Sequence, residues 1–189
     1  MYSFVSRSVA GLLLAVTLAG CMPESKEPLA PISAALAEPR LVGTWMAKIE
    51  DDTVYLRIRQ RDGNLLDIAN FSVDENGKDT LVYYSAHVTE VGGKRFANLR
   101  EIGSSSGNYF FASYGLDGSN RLVVRFVAEK AVIDAVKAGR LKGKVTESSV
   151  GDDVEIDDEP ARLAAFLTST EPSVLFDKPL TFRRTAKPR

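Results

Sequence analysis

Apolar and polar side chains alternate along six short segments between residues 53 and 127. In the first of these segments, Val54, Leu56 and Ile58 are each followed by a polar or aromatic side chain. A period of two places alternate side chains on opposite faces of an extended chain, which is typical of a half-buried β-strand. The pattern therefore predicts strands over residues 53–59, 65–73, 81–88, 95–102, 108–116 and 121–127.

Short turn sequences separate most of these segments. Such pairs supply the positive φ angles that tight hairpin turns require, and their recurrence between alternating runs favours an antiparallel meander. The four turn sequences are Asp62-Gly63, Asn76-Gly77, Gly92-Gly93 and Asp117-Gly118. With further strands expected over residues 141–146, 154–157 and 180–184, the sequence predicts a mainly β fold, either barrel-like or a strongly curved sheet.

Two segments carry apolar residues at helical spacing and predict short helices at about 128–138 and 159–168. The first ends at Gly139, a residue common just beyond helix C-termini. In the second, Leu163, Phe166 and Leu167 form one apolar stripe. The strand over residues 108–116 has aromatic residues on both faces, so we expect this stripe to cover its outer side.

The N-terminus carries an apolar run, residues 9–19, that follows the cation Arg7. The run is shorter than the about 20 residues that a membrane-spanning helix needs, and it ends in small residues, as secretory signal peptides do. It leads directly into Cys21, the only cysteine of the chain. Leu18-Ala19-Gly20-Cys21 resembles the lipobox of bacterial lipoproteins. That resemblance implies a signal peptide over residues 1–20 and lipidation of Cys21.

The lipobox resemblance also implies a location in the cell envelope. Met22 follows the cysteine, whereas retention in the inner membrane favours aspartate there, so the analogy points to the periplasmic leaflet of the outer membrane. Residues 21–40 contain four prolines and no sustained periodicity, which predicts a tether without regular structure. Residues 41–189 are then expected to form a single β-rich domain.

Gly43-Thr44-Trp45 begins the first strand after the expected tether. It resembles the Gly-x-Trp motif at the start of the first barrel strand in lipocalins and their calycin relatives. The resemblance implies a tryptophan that closes one barrel end beneath a basic residue, and Arg183 or Arg184 could take that role through a cation–π contact. The helix predicted before the last strands departs from the lipocalin order. Trp45 as an ordinary core residue of an edge strand remains the alternative.

Composition and motif context argue against several other functions. The chain has 24 basic and 25 acidic residues, which is no footprint of a nucleic-acid-binding protein. Residues 103–107 match Gly-x-Ser-x-Gly, but strands flank the match on both sides and the only histidine, His87, precedes it, so a loop is expected rather than a nucleophile elbow. His87 itself is predicted to be exposed or at a rim.

The sequence also offers little to hold a metal ion. One histidine and one lipidated cysteine fall short of a zinc site, and the acidic residues between 152 and 159 lack the spacing of a calcium-binding loop. We therefore expect no metal, no cofactor and no catalysis.

Two functions remain open for such an envelope lipoprotein. The first is binding of a small apolar ligand or lipid inside a lipocalin-like barrel, with Trp45, Tyr84, Phe110 and Phe126 as the aromatic contacts. The second is a tethered interaction module that docks on an envelope protein or on the cell-wall polymer. An internal cavity would favour the first, and an exposed apolar patch without a cavity would favour the second.

Overall fold

A computed structural model describes residues 22–74, 76–118, 120–148 and 151–185. The signal peptide and the Cys21 lipidation site predicted from the sequence lie outside these residues. The described strands are β1 (Glu24–Ser25), β2 (Gly43–Ile49), β3 (Asp52–Gln60), β4 (Leu65–Val73), β5 (Asp79–Val91), β6 (Lys94–Glu101), β7 (Phe110–Asp117), β8 (Arg121–Phe126), β9 (Gly143–Ser148), β10 (Gly151–Ile156) and β11 (Leu180–Thr185). The described helices are α1 (Glu129–Lys137), α2 (Pro160–Ser169) and α3 (Pro172–Leu175).

Eight of the strands form a closed antiparallel barrel in the order β11-β2-β3-β4-β5-β6-β7-β8. The last strand closes it, because β11 pairs with β8 on one side and with β2 on the other. The mainly β fold predicted from the alternation is confirmed. The closed barrel also agrees, at the level of architecture, with the barrel that the Gly-x-Trp resemblance implied.

A second layer covers part of the barrel wall. β9 and β10 form an antiparallel pair, β1 joins β10 in parallel, and this small sheet is separate from the barrel. The two predicted helices are present as α1 and α2, and the four-residue α3 is an addition that the sequence did not predict. Among the described residues, no helix is long and apolar enough to cross a membrane.

The two layers create two hydrophobic cores. The first fills the barrel and includes Trp45, Leu66 and Phe182. The second lies between the outer barrel wall and the helices. It joins Phe96 and Phe111 to the α2 stripe Leu163, Phe166 and Leu167, so the stripe covers the outer side of β7 as expected.

Residues 22–41 differ from the tether that the prolines predicted. We call this segment the strap, because it runs along the outer barrel wall. Its backbone bridges Tyr109 through Ser25 and Val88 through Leu36, and Leu29 is buried in the second core. Proline removes N–H donors and so prevents regular structure, but it leaves carbonyl groups and side chains free to pack. Residues 22–41 are therefore part of the folded body.

The prediction that His87 is exposed is wrong. Its side chain is only 2% exposed because the strap lies over this part of β5. His87 Nε2 lies 2.9 Å from the carbonyl oxygen of Ala30, and the neighbouring Asn98 accepts a 2.7 Å hydrogen bond from the Leu29 amide. The outward-facing polar residues of β5 and β6 are thus buried partners of the strap.

Candidate ligand-binding site

The barrel has two different ends. We call the end where β2 begins and β11 finishes the base, and the opposite end, which contains the β4–β5 hairpin and the start of β11, the mouth. The strap reaches the barrel beside Tyr109 at the mouth and leaves it at the base, where Leu41 precedes β2. The chain therefore passes along the full height of the outer wall before it enters the barrel.

Trp45 closes the base. Its ring is fully buried, and its Nε1 donates a 2.8 Å hydrogen bond to the carbonyl oxygen of Leu41. The Arg184 guanidinium lies over the ring, with Cζ 4.3 Å from the ring centroid. Arg184 also donates to the carbonyl oxygens of Val42 and Arg40 at 2.7 and 2.6 Å. Of the two candidate arginines, the structure places Arg184 on the tryptophan and leaves the Arg183 side chain exposed.

Gly43 makes this arrangement sterically feasible. Its φ angle is +142°, a backbone conformation that residues with a side chain rarely adopt. A Cβ atom at this position would also collide with Arg184 Nη1. The glycine of the Gly-x-Trp motif is thus needed to bring the arginine over the tryptophan.

A buried carboxylate adds a second closure at the base. Glu38 is 4% exposed, and its carboxylate accepts hydrogen bonds of 2.8 and 3.0 Å from Arg40 and one of 3.4 Å from the Tyr114 hydroxyl. Arg95 lies 4.0 Å from the same carboxylate. The hydrogen bonds from Arg40 hold the pKa of Glu38 below its usual range against the opposing effect of burial. Strap and barrel are therefore ion-paired where the base is sealed.

The barrel contains an inner cavity of about 90 Å³. Its lining residues are apolar apart from Asn70, Tyr84 and Tyr114. Three rings form a contiguous wall, because the Phe110 ring centroid lies 5.4 Å from that of Tyr84, in an edge-to-face arrangement, and 6.5 Å from that of Phe126. Three of the four aromatic residues proposed from the sequence thus line the cavity, whereas Trp45 seals the base and does not line it.

A second cavity of about 270 Å³ occupies the mouth. It shares Asn70, Tyr84 and Phe126 with the inner cavity, so the two spaces adjoin. Its remaining lining is more polar and includes three carboxylates and one amine, those of Asp52, Glu101, Asp177 and Lys178.

Asn70 and Tyr84 mark the boundary between the two cavities. Asn70 Oδ1 is buried and accepts no hydrogen bond within the described part of the chain. Burial, together with the Glu101 carboxylate, raises the pKa of Tyr84 to about 12 against the opposing effect of its hydrogen bond with the Asn70 side chain. The Tyr84 hydroxyl therefore stays protonated at neutral pH and remains a hydrogen-bond donor and acceptor.

The sequence reasoning missed Asn70, although a signal existed. Asn70 follows Leu66 and Ile68 at a spacing of two, so the alternation places its side chain inside the barrel. A polar residue in phase with core positions indicates a site that is either satisfied internally or used by a ligand. Met22, which also lines the inner cavity, carried no comparable signal because the strap has no periodicity.

The serine residues and the histidine considered for catalysis lie in different parts of the structure. Ser104 and Ser106 form a local hydrogen bond of 3.1 Å in the exposed β6–β7 loop, whereas His87 is buried beneath the strap. No group of three or more His, Cys, Asp or Glu side chains within the described ranges could hold a metal ion.

No protein-family model matches this chain, and no curated protein matches it. Among solved structures, the chain is similar to a de novo designed fluorescence-activating β-barrel. The identity is 13%, the similarity covers 82% of this chain and 100% of the designed one, and the TM-score is 0.38.

Proposed function

We propose that this protein is a non-catalytic lipoprotein of the cell envelope that binds a small apolar ligand in its barrel. The observation that carries the proposal is the apolar inner cavity that adjoins the mouth cavity. Ligand sites are typically concave and apolar with a few placed polar groups, and Asn70 and Tyr84 supply such groups here. Because Trp45 and Arg184 seal the base, the mouth is the route for a ligand.

The size of the two spaces indicates how a ligand would lie. An engineered cavity of about 150 Å³ lined by aliphatic and aromatic side chains binds benzene, so the inner cavity of about 90 Å³ suits a short hydrocarbon segment. The larger mouth cavity would hold the rest of the molecule. An amphiphile with its tail inside and its head at Asn70 fits both spaces.

Native mass spectrometry of protein purified from its own cell envelope tests ligand binding. We expect an added mass that disappears on denaturation. An Ala97→Phe variant should lose that mass, because residue 97 lines the inner cavity and a phenyl ring would fill it. Ala161→Phe is the matched control, since Ala161 is exposed on α2. A clean apo mass for the wild type, with no response to a panel of fatty alcohols, fatty acids and amides, would end the proposal.

The proposed location in the cell envelope rests on the lipobox. We propose that Cys21 is lipidated and that the protein resides in the periplasmic leaflet of the outer membrane. Two or more acyl chains give stable membrane attachment. Met22, the next residue, contributes to the cavity wall, so the anchor would join the folded body directly rather than through a free tether.

Cys21→Ser tests lipidation by removing the acceptor sulfur. After metabolic labelling with a clickable fatty acid, we expect label and membrane association in the wild type and neither processed nor labelled protein in the variant. Equal labelling and equal fractionation of the two proteins would contradict the localisation.

A specific observation also favours the interaction module as a second candidate. Leu81, Tyr83 and Ile102 are each more than half exposed on the outer barrel wall near the mouth. Leu81 lies opposite Phe71, which lies opposite Tyr55, so a row of large side chains extends this surface across three strands. Contiguous exposed apolar surface of this kind marks interaction sites.

A photo-crosslinking amino acid placed at Tyr83 would test the second candidate in living cells. We expect a reproducible crosslink to an envelope protein, with Lys130 on the exposed face of α1 as the control position. Identical crosslinks at both positions would count against a specific docking surface.

A further inference from the structure

We infer that the ligand carries an uncharged or cationic head that donates a hydrogen bond to Asn70, so that the barrel accepts alcohols, amides or amines and discriminates against carboxylates. The inference rests on the proposed ligand binding and names the chemical class of the head. It depends on two independent features of the mouth, an acceptor atom without a donor and the sign of the surrounding charges.

The acceptor is Asn70 Oδ1. Asn70 lines both cavities, and its Oδ1 atom is buried and without a hydrogen-bond partner among the described residues. A buried acceptor that has lost its contact with water is costly, and a donor brought by the ligand removes that cost. A hydroxyl or an amide can donate, whereas a carboxylate can only accept.

The apolar surroundings of Asn70 add to the selectivity. The neighbouring lining consists of side chains such as Ile68 and Phe126, which offer no competing donor. The Tyr84 hydroxyl is hydrogen-bonded with the Asn70 side chain, and it stays uncharged because its pKa is raised to about 12. A head that both donates and accepts could use Asn70 and Tyr84 together.

The charges of the mouth act in the same direction. Three carboxylates, those of Asp52, Glu101 and Asp177, line the mouth cavity against the single amine of Lys178. Partial burial raises the pKa of Asp177, which is the response of a carboxylate whose charged form is poorly solvated. A carboxylate head would add a further negative charge to this cavity and be repelled.

Chain-matched probes separate these possibilities. We would measure binding of 1-octanol, octanamide, 1-octylamine, octanoate and octane to the full chain at pH 7 by NMR. The methyl resonances of the residues that line the inner cavity report binding of every probe, and the Asn70 side-chain amide reports contact with the head. We expect the first three probes to bind about tenfold more tightly than octanoate, since about 1.4 kcal/mol corresponds to one factor of ten in affinity. The Asn70 amide resonance should shift with these three probes and not with octane.

Two variants identify the cause. Asn70→Leu, which is close in size, should weaken octanol binding about tenfold and leave octane binding unchanged. Asn76→Leu is the matched control, since Asn76 lies exposed in the β4–β5 hairpin. Glu101→Gln should strengthen octanoate binding severalfold relative to octanol binding, and it supplies a test that does not require a change at Asn70.

The outcomes distinguish a wrong assignment of the head group from a failure of the proposed ligand binding. If no probe binds the wild type, including octane, the proposed ligand binding fails. If octane and octanoate bind as tightly as octanol, or if Glu101→Gln leaves octanoate binding unchanged relative to octanol binding, ligand binding stands and the assignment of the head is wrong.

Discussion

Arg184 illustrates how one side chain can hold a whole barrel end. Its guanidinium stacks on Trp45 and donates to two carbonyl oxygens of the strap and its junction with β2. Both carbonyl groups precede β2, so the arginine binds the backbone at the point where the chain enters the barrel. A lysine has neither the fork geometry nor the flat face for this combination.

Arg184→Met should therefore lower the free energy of unfolding by about 3 kcal/mol, because a desolvated cation–π contact and two charge-assisted hydrogen bonds are lost. Urea denaturation measures the change. Arg183→Met is the neighbouring control, and it should shift stability by less than about 0.5 kcal/mol because that side chain is exposed. Equal midpoints for the two variants would contradict the described role of Arg184.

His87 makes stability depend on pH. Burial lowers its pKa from the ordinary value of 6.5, against the opposing effect of its hydrogen bond with Ala30. The unfolded chain therefore takes up a proton at a higher pH than the folded chain does. The stability that neutral His87 contributes is complete above about pH 6.5 and is lost as the pH falls from there toward the folded pKa.

We expect the wild type to lose more stability between pH 7 and pH 5 than His87→Gln, whose amide can still donate to Ala30. The comparison between the two proteins is needed because burial raises the pKa of Glu129 and Asp177, and these groups contribute with the opposite sign. Chemical denaturation at a series of pH values measures the difference. Parallel curves for the two proteins would show that His87 is not the titrating group.

At the scale of elements, the strap is a part of the fold rather than a linker. It supplies Leu29 to the second core, Leu36 to the edge of β5 and Glu38 to the ion pairs at the base. In return, His87 and Asn98 of the barrel wall bind its backbone. Removal of the strap would take away the Ala30 carbonyl that His87 Nε2 contacts and the Leu29 amide that donates to Asn98 Oδ1.

A chain that begins at Leu41 should consequently melt at least about 5 °C below a chain that begins at Met22, since a loss of 1 kcal/mol shifts the midpoint of a domain of this size by several degrees. Differential scanning calorimetry on the two chains measures this. A flexible tether would leave the two midpoints equal, so equality would overturn the description of the strap.

At the scale of the whole molecule, the two hydrophobic cores have different roles. The second core stabilises the fold, and the core inside the barrel contains the cavity proposed for ligand binding. Leu167 is fully buried in the second core, outside the barrel, whereas Phe110 lines the inner cavity. The barrel wall between them is shared by both cores. A defect in the second core should therefore weaken the fold while the shape of the cavity stays the same.

Leu167→Ala should cost about 2–5 kcal/mol of stability and leave the affinity for a bound alcohol unchanged. Phe110→Ala should cost a similar amount but enlarge the inner cavity, which shifts the preference toward longer tails. Binding of a series of alcohols of increasing chain length, measured beside the unfolding free energy, separates the two effects. An equal shift in chain-length preference in both variants would contradict the different roles of the two cores.

The mainly β fold could be predicted because the patterns that specify its strands and turns lie within short stretches of the sequence. A period of two and a glycine in most of the barrel hairpins can be read from neighbouring residues, and so can the helical stripe of α2. The strap could not be predicted, since its partners His87 and Asn98 lie 57 and 69 positions away from the residues they bind. Alternation also predicted a strand over residues 154–157 without indicating which sheet it joins, and the structure places this strand, β10, outside the barrel. Of the candidate site, the rings of Tyr84, Phe110 and Phe126 could be proposed from their phase, whereas the cavity depends on how closely all eight strands pack.

The course of the strap has a mechanical consequence. Tension applied at Met22 first meets the short pairing of β1 with β10 and the two 2.7 Å hydrogen bonds between Ser25 and Tyr109. The contacts at Leu29, Ala30 and Leu36 follow, one after another toward the base. The barrel strands bear the force only after these contacts have broken. We therefore expect the strap to detach before the barrel unfolds.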